Sequence, residues 1–314
     1  MKNIKTLSNK ELSPIGIGTY GIGGRGHRDV DLQDTKEDSV YIDALINQFN
    51  IGYNFSEISL GYGHGNAAKF FAQALKKSGI DRKDLFLTNS VYPRDILDFK
   101  VLEEDIESMY SLFEADYFDS TLVTQSLVVK FGYDQVVKKL WELLNTNRTR
   151  YVSLSNSNKK LIKQFSEEFK DKLFAHETHI SFEIRECQDE GIFDLCNELN
   201  IQTIIWRPLR QGRTIEHNWE PLVRLSKKYG KTQNQIVLNW VKSLGFKPEV
   251  FSTSMEHIKE NWEAMEFEME KEDIDELTKY RIPNYIPPKI NWENMGNGDS
   301  IVPLVMGFEE NFNG

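Results

Sequence analysis

Cysteine is nearly missing from this chain, with only Cys187 and Cys196 among 314 residues. Two thiols cannot build a disulfide framework, and their spacing fits neither a redox CxxC pair nor a zinc site. Both are read as reduced structural thiols of a cytoplasmic protein. Long apolar runs are missing too. Nowhere do about eighteen apolar residues follow one another, and residues 1–14 hold no stretch apolar enough for a signal peptide, so neither export nor a membrane partner is expected. There is also no basic stripe. The net charge is -10, with 38 Lys and Arg dispersed among 48 Asp and Glu, which leaves nothing to neutralise a phosphate backbone and argues against nucleic acid. The glycines between Gly21 and Gly26 lack the GxGxxG spacing and the immediate helix of a dinucleotide fingerprint, so a Rossmann domain is excluded. His176 and His179 stand three apart on an expected strand and point to opposite faces, so no metal site is expected.

What is present is material for a large core: 39% hydrophobic and 12% aromatic residues against 27% charged, the balance of a globular chain rather than a disordered one. Short β-branched or aromatic runs at 15–20, 53–58, 85–91, 120–125, 151–155, 176–182, 203–206 and 250–254 read as eight strands. Between most of them the apolar period turns helical, most clearly at Val136, Val137, Leu140, Leu143 and Leu144, and again over 39–49, 67–77, 101–113 and 233–241. Eight βα units without a linker predict the α/β class, a single-domain (β/α)8 TIM barrel over 1–314. A hairpin over 4–12, turning at Ser8, Asn9 and Lys10, is expected to cap its floor. The segment 281–314 carries four of the nine prolines and reads as an extended irregular tail. In such a barrel the chemistry sits at the carboxyl ends of the strands.

At those strand ends the chain resembles a known family. Ser13 to Gly21, the stretch Tyr62-Gly63-His64-Gly65 with the helix after it, Ser155-Asn156, Trp206-Arg207-Pro208-Leu209 with Gly212, and Ile258-Lys259-Glu260-Asn261 each resemble, in order, a motif of the aldo-keto reductases. Five matches in register are a specific signal. The resemblance implies a TIM barrel, NADP or NAD as cofactor, and a carbonyl or alcohol as small-molecule substrate. It places the general acid at Tyr62, and at the other tetrad positions Glu57 for an aspartate, Asn89 for a lysine and Thr124 for a histidine. Three of the four are changed, a degenerate tetrad. A phenol with a pKa near 10 is a poor proton donor at neutral pH without a nearby cation, and Asn89 offers only a dipole. His27 and His64, in loops expected at the mouth, are the candidates to replace the imidazole.

For the cofactor the resemblance implies Thr19 and Tyr20 after the first strand, Ser155, Asn156 and His179 on the nicotinamide carboxamide, and Trp206 stacked on its ring. Pro208, Leu209, Gly212 and Arg213 would follow along the dinucleotide, with Ser252, His257, Glu260 and Asn261 at its adenosine end. Phe251 and His257 stand where the family has cations for the 2′-phosphate, so a preference for NADP over NAD is not expected. Arg207, Arg210 and Arg213 form a basic group beyond the seventh strand that could take a pyrophosphate or an anionic substrate. Three functions remain open on these residues: an NAD(P)H-dependent oxidoreductase, a catalytically silent nucleotide- or metabolite-binding relative with a protein partner, and a non-redox lyase or isomerase of an anionic compound.

Overall fold

The computed structural model describes residues 3–24, 37–91, 98–286 and 290. Its eight parallel strands are β1 (Gly16–Gly18), β2 (Phe55–Ile58), β3 (Phe86–Val91), β4 (Phe118–Thr124), β5 (Thr149–Ser155), β6 (Leu173–Thr178), β7 (Gln202–Trp206) and β8 (Lys247–Val250). They pair in chain order and close through β8 to β1. The helices between them are α1 (Asp38–Ile51), α2 (Asn66–Ser78), α3 (Phe99–Leu112), α4 (Gln125–Phe131), α5 (Tyr133–Asn145), α6 (Lys159–Phe169), α7 (Glu186–Asp189), α8 (Ile192–Glu198), α9 (Glu220–Tyr229) and α10 (Gln233–Ser243); α11 (Met255–Glu263) and α12 (Lys271–Lys279) follow β8. The TIM barrel is therefore as expected. Among the described residues no helix is long and apolar enough to cross a membrane.

The helix-facing side of the sheet carries most of the core, and the lumen carries a smaller apolar plug. Leu12, Phe55, Phe86, Phe174 and Ile204 form that plug, with Tyr151 packed on it. The expected hairpin closes the floor through the antiparallel bridge Lys5 to Glu11. Lys247 reinforces it by donating to the carbonyls of Leu12 and Ser13 at 3.3 and 2.8 Å.

Because side chains alternate along a strand, an inward Phe55 makes Glu57 inward, and an inward Phe86 makes Thr88 and Ser90 inward. The register agrees, pairing Phe55 with Phe86 and Glu57 with Thr88.

The strand boundaries shift from the sequence expectation by one to four residues, and three of the shifts have a clear local cause. β1 stops at Gly18, because Thr19 turns its hydroxyl onto the Glu57 carbonyl at 2.8 Å and accepts the Ile22 amide into a turn. β6 begins earlier and ends at Thr178, after which Ser181 and Ile184 close a turn of their own. β8 begins at Lys247 and is over by Val250, because Ser254 already caps α11. The last shift brings Glu249 into the lumen.

Candidate active site

Tyr62 follows β2 at the start of a short 3-10 turn, Tyr62–Gly65. Gly63 has φ 56°, and a Cβ there would lie 2.5 Å from the Ile22 carbonyl oxygen, so only glycine fits the turn. The Tyr62 side chain is half-buried, and its hydroxyl donates to Glu57 Oε1 at 3.0 Å. Ser90 also hydrogen-bonds the Glu57 carboxyl. Tyr20 meets Tyr62 edge-on, with ring centroids 5.3 Å apart, and carries the Arg207 guanidinium on its ring at 4.0 Å.

Glu57 is not the only acid in the lumen. Glu177 on β6 and Glu249 on β8 are equally buried, and carboxylate oxygens of all three lie within 4.8 Å of one another. The Glu57 backbone N–H donates to Glu249 Oε1 at 3.1 Å. Strand β1 runs between β8 and β2, pairing Gly16 with Glu249 and Gly18 with Glu57. Gly16 has no room for a side chain, since a Cβ there would lie 2.3 Å from the Phe55 ring.

Burial pushes the Glu57 pKa up from 4.5 to about 7 against the hydrogen bonds from Ser90 and Tyr62. Burial and then the neighbouring acids hold Glu177 well above the carboxylate range, and burial does the same for Glu249. The cause is elementary: at an effective dielectric constant near 20, two full charges about 5 Å apart repel by roughly 3 kcal/mol. The three cannot all be ionised near neutrality. Glu177 and Glu249 are hydrogen-bonded to each other and both are held above the carboxylate range, so the pair shares a proton.

On the opposite wall, Trp206 ends β7 and donates its indole N–H to Asn156 Oδ1 at 3.1 Å. Asn156 follows Ser155 at the end of β5 with φ 47°, tied by its own N–H to the Glu177 carbonyl at 2.9 Å. His179 packs beside Trp206 with ring centroids 4.7 Å apart and planes tilted by 44°, and its Nδ1 sits 3.0 Å from the Trp206 carbonyl oxygen. Burial lowers the His179 pKa to about 3, so the ring is neutral. A carbonyl can only accept, so Nδ1 bears the proton and Nε2 is left as an acceptor. Nε2 is buried and has no hydrogen-bond partner among the described residues. An amide N–H is the complement of that atom, so the residues present fit a carboxamide-bearing ring at this wall.

The other expected site residues divide. Asn89 lies on the outer face: it pairs with Thr121, which lines a crevice against Phe99, Leu102 and Lys139 of the helix layer. Alternation puts Ser90 on the lumen face instead, so the expectation that Asn89 stands beside Tyr62 is corrected. Thr124 faces inward beside Ser155, yet its hydroxyl caps α4, accepting from the Leu127 amide at 3.2 Å and lying 2.7 Å from Ser126 Oγ.

Arg207 lies on Tyr20, whereas Arg210 is buried 3.5 Å from an equally buried Glu183. The arginines therefore do not make one basic surface, and Arg213 is half-buried. Thr19 serves as a peg between β1 and β2, Pro208 is buried, Leu209 precedes the turn Arg210–His217, and Gly212 has φ 89°. Ser252 Oγ accepts from the Ser254 amide. In α11, His257 is exposed and Asn261 buried, while Glu260 accepts from Thr232, the N-cap of α10. His64 is exposed, and His27 falls outside the described residues.

Glu177 and Glu249 were missed by sequence reasoning. The available signal was an acid inside a short strand, a position where a carboxylate is rarely buried without a partner.

Comparison with known proteins places this geometry. The model of the aldo/keto reductase family matches residues 14–282. An uncharacterized oxidoreductase of Bacillus subtilis, YtbE, is 25% identical over 77% of this chain and 84% of its own length. The glyoxal reductase of the same bacterium is 26% identical over 65% of this chain and 71% of its own length. Among solved structures, the thermostable aldo-keto reductase Tm1743 superposes with a TM-score of 0.75 at 22% identity, over 88% of this chain and all but 1% of that one (99% covered). A Klebsiella pneumoniae aldo-keto reductase in complex with NADPH superposes with a TM-score of 0.73 at 18% identity, over 88% of this chain and 93% of its own.

Proposed function

The chain belongs to the aldo/keto reductase family, and we propose that it is an NAD(P)H-dependent oxidoreductase that interconverts a small carbonyl compound and its alcohol, with Tyr62 as the proton-transfer group and Glu57 as its partner. The hydrogen bond from Tyr62 to Glu57 carries this reading. Relatives named as glyoxal and methylglyoxal reductases support a small carbonyl as the substrate class. A bound nicotinamide dinucleotide supplies the hydride. Ser155, Asn156, His179 and Trp206 would hold its nicotinamide end, with the His179 Nε2 lone pair as the acceptor for the carboxamide.

With the tetrad's lysine and histidine replaced, the site is a degenerate version of the family's. Ser90, the lumen-facing neighbour of Asn89, and Thr124 place no charge beside the proton donor, and Glu57 becomes the group that sets its acidity. When Glu57 is protonated it can donate to the phenolic oxygen, which makes Tyr62 the better acid. When Glu57 is ionised it accepts from Tyr62, and a phenolate beside it is disfavoured. The reading also takes the protein as cytoplasmic, in keeping with two buried free thiols.

The test is a titration with NADPH and NADH followed by tryptophan fluorescence, then turnover on a carbonyl panel that includes methylglyoxal and glyoxal. Quenching that is diminished in Trp206→Phe, together with turnover lost in Tyr62→Phe, is the expected outcome. Failure of either dinucleotide to bind at millimolar concentration would reject the proposal.

A further inference from the structure

The lumen acids go beyond what the proposed reaction requires. Tyr62 and Glu57 alone could pass one proton, yet two further carboxyls stand behind them on β6 and β8. Three observations hold them together. Glu249 Oε1 accepts from the Glu57 backbone N–H, Glu177 and Glu249 are hydrogen-bonded to each other, and carboxylate oxygens of all three lie within 4.8 Å of one another. The Tyr62 hydroxyl connects them to the mouth.

We propose that Glu177 and Glu249 form a proton reserve that recharges Tyr62 through Glu57, so that this barrel supplies by shared carboxyl protons what a fixed cation would otherwise supply. The inference rests on the oxidoreductase reading above. In the reducing direction the substrate carbon takes hydride from the reduced dinucleotide while the Tyr62 O–H bond breaks and its proton becomes the hydroxyl proton of the alcohol. The phenolate takes a proton from the Glu57 carboxyl across their 3.0 Å contact. Glu57, now ionised, takes one from the Glu177 and Glu249 pair, and the pair recovers one proton from water before the next turnover. No charge is created or lost over the cycle.

The groups around Glu57 are consistent with this. From β3 it meets the neutral Ser90, from the turn after β2 it meets Tyr62, and from β8 and β6 it meets the two acids. Lys247, two residues before Glu249, is anchored on the floor carbonyls of Leu12 and Ser13. His179, two residues after Glu177, is held neutral against Trp206. Arg207 lies beyond the Tyr20 ring.

Glu177 acts through other residues, so its test must read protons rather than activity alone. Infrared spectroscopy of the full chain at neutral pH should show the carbonyl band of a protonated carboxylic acid, and Glu177→Gln should diminish it while leaving dinucleotide affinity unchanged. In the same variant kcat for reduction should fall about tenfold, with its alkaline limb moved to lower pH and KM little changed. Glu249→Gln should reproduce the loss. A wild-type protein with no protonated carboxyl band, a divalent cation found by elemental analysis in the purified protein at one per chain, or an unaltered pH profile in both variants would overturn the proposal. The infrared band does not depend on turnover, so a protein that fails to reduce any carbonyl yet shows the band rejects the oxidoreductase reading and leaves the proton-sharing cluster standing.

Discussion

The Tyr62 hydroxyl and the Glu57 carboxyl face each other at 3.0 Å inside the rim of the barrel, phenol as donor and carboxylate as acceptor. The pair inverts the usual electrostatics of an acid catalyst, because the nearest partner of the phenol is an anion whenever Glu57 is ionised. What rescues it is burial, which keeps a proton on Glu57 up to about pH 7.

Removing either member should separate chemistry from folding. Tyr62→Phe should lower kcat for carbonyl reduction by at least about a hundredfold with dinucleotide affinity within twofold. Glu57→Gln keeps a donor amide beside the phenol and should cost less, about tenfold. Steady-state kinetics and fluorescence titration on both variants check this, and an unchanged kcat in Glu57→Gln would show that Glu57 does not recharge the phenol.

The direction of catalysis should depend on pH in a defined way. Below pH 7 a protonated Glu57 can donate to Tyr62, favouring reduction; above it the carboxylate can take up a proton, favouring alcohol oxidation. Reduction should therefore decline above about pH 7, following the raised Glu57 pKa, while oxidation rises. Profiles of kcat in both directions give the answer, and parallel profiles would contradict it.

Stability should fall with rising pH over the same window. Glu57 binds its proton more tightly folded, at about 7, than at the ordinary 4.5. Its contribution is thus fully present below the lower value and lost as pH climbs through the upper one, roughly 3 kcal/mol in all. Glu177 and Glu249, both shifted upward, carry the decline further. Urea denaturation at pH 5, 7 and 8.5 measures it, and Glu57→Gln should flatten the curve by making the protein more stable at the alkaline end.

The turn after β7 offers a test of architecture rather than chemistry. Glu183 is fully buried, accepts from Thr214 Oγ1 at 3.0 Å and Trp219 Nε1 at 3.1 Å, and faces the buried Arg210. Arg207, Arg210 and Gln211 in that turn all have positive φ, a conformation that costs each of them about 1 kcal/mol or more. Glu183→Ala should destabilise the fold by about 3 to 5 kcal/mol, because it strands a buried guanidinium. Thermal or chemical denaturation reads the effect directly.

Cofactor choice should be loose. Phe251 packs on Tyr41 at 6.2 Å, and His257 is exposed. Neither supplies the fixed cation that makes a charge-assisted bond to a 2′-phosphate. Dissociation constants for NADH and NADPH should lie within about tenfold of each other, about 1.4 kcal/mol, and introducing His257→Arg should shift the ratio toward NADPH.

How much of this was written in the sequence varies by level. The alternation of apolar periods gave the barrel, because a parallel strand buried on both faces and an amphipathic helix each leave their own period. The places of Tyr62, Ser155, Asn156 and Trp206 at or just beyond strand ends were legible because each lies in a local motif. Asn89 faces the helix layer rather than the lumen, because one step along a strand moves a side chain from one face to the other. The role of Thr124 was hidden for a different reason: whether a strand-end hydroxyl caps the next helix or faces the mouth depends on the turn that follows.

The order of strands and helices, the absence of a Rossmann fingerprint and the position of the phenol were determined by the chain itself, since each rests on residues close in sequence. Closure of the sheet decided the rest. It brings Glu57, Glu177 and Glu249 from positions 120 and 72 residues apart into a space 4.8 Å across, and a carboxyl's proton affinity depends on which charges and how much water surround it. Neither quantity exists along a one-dimensional chain.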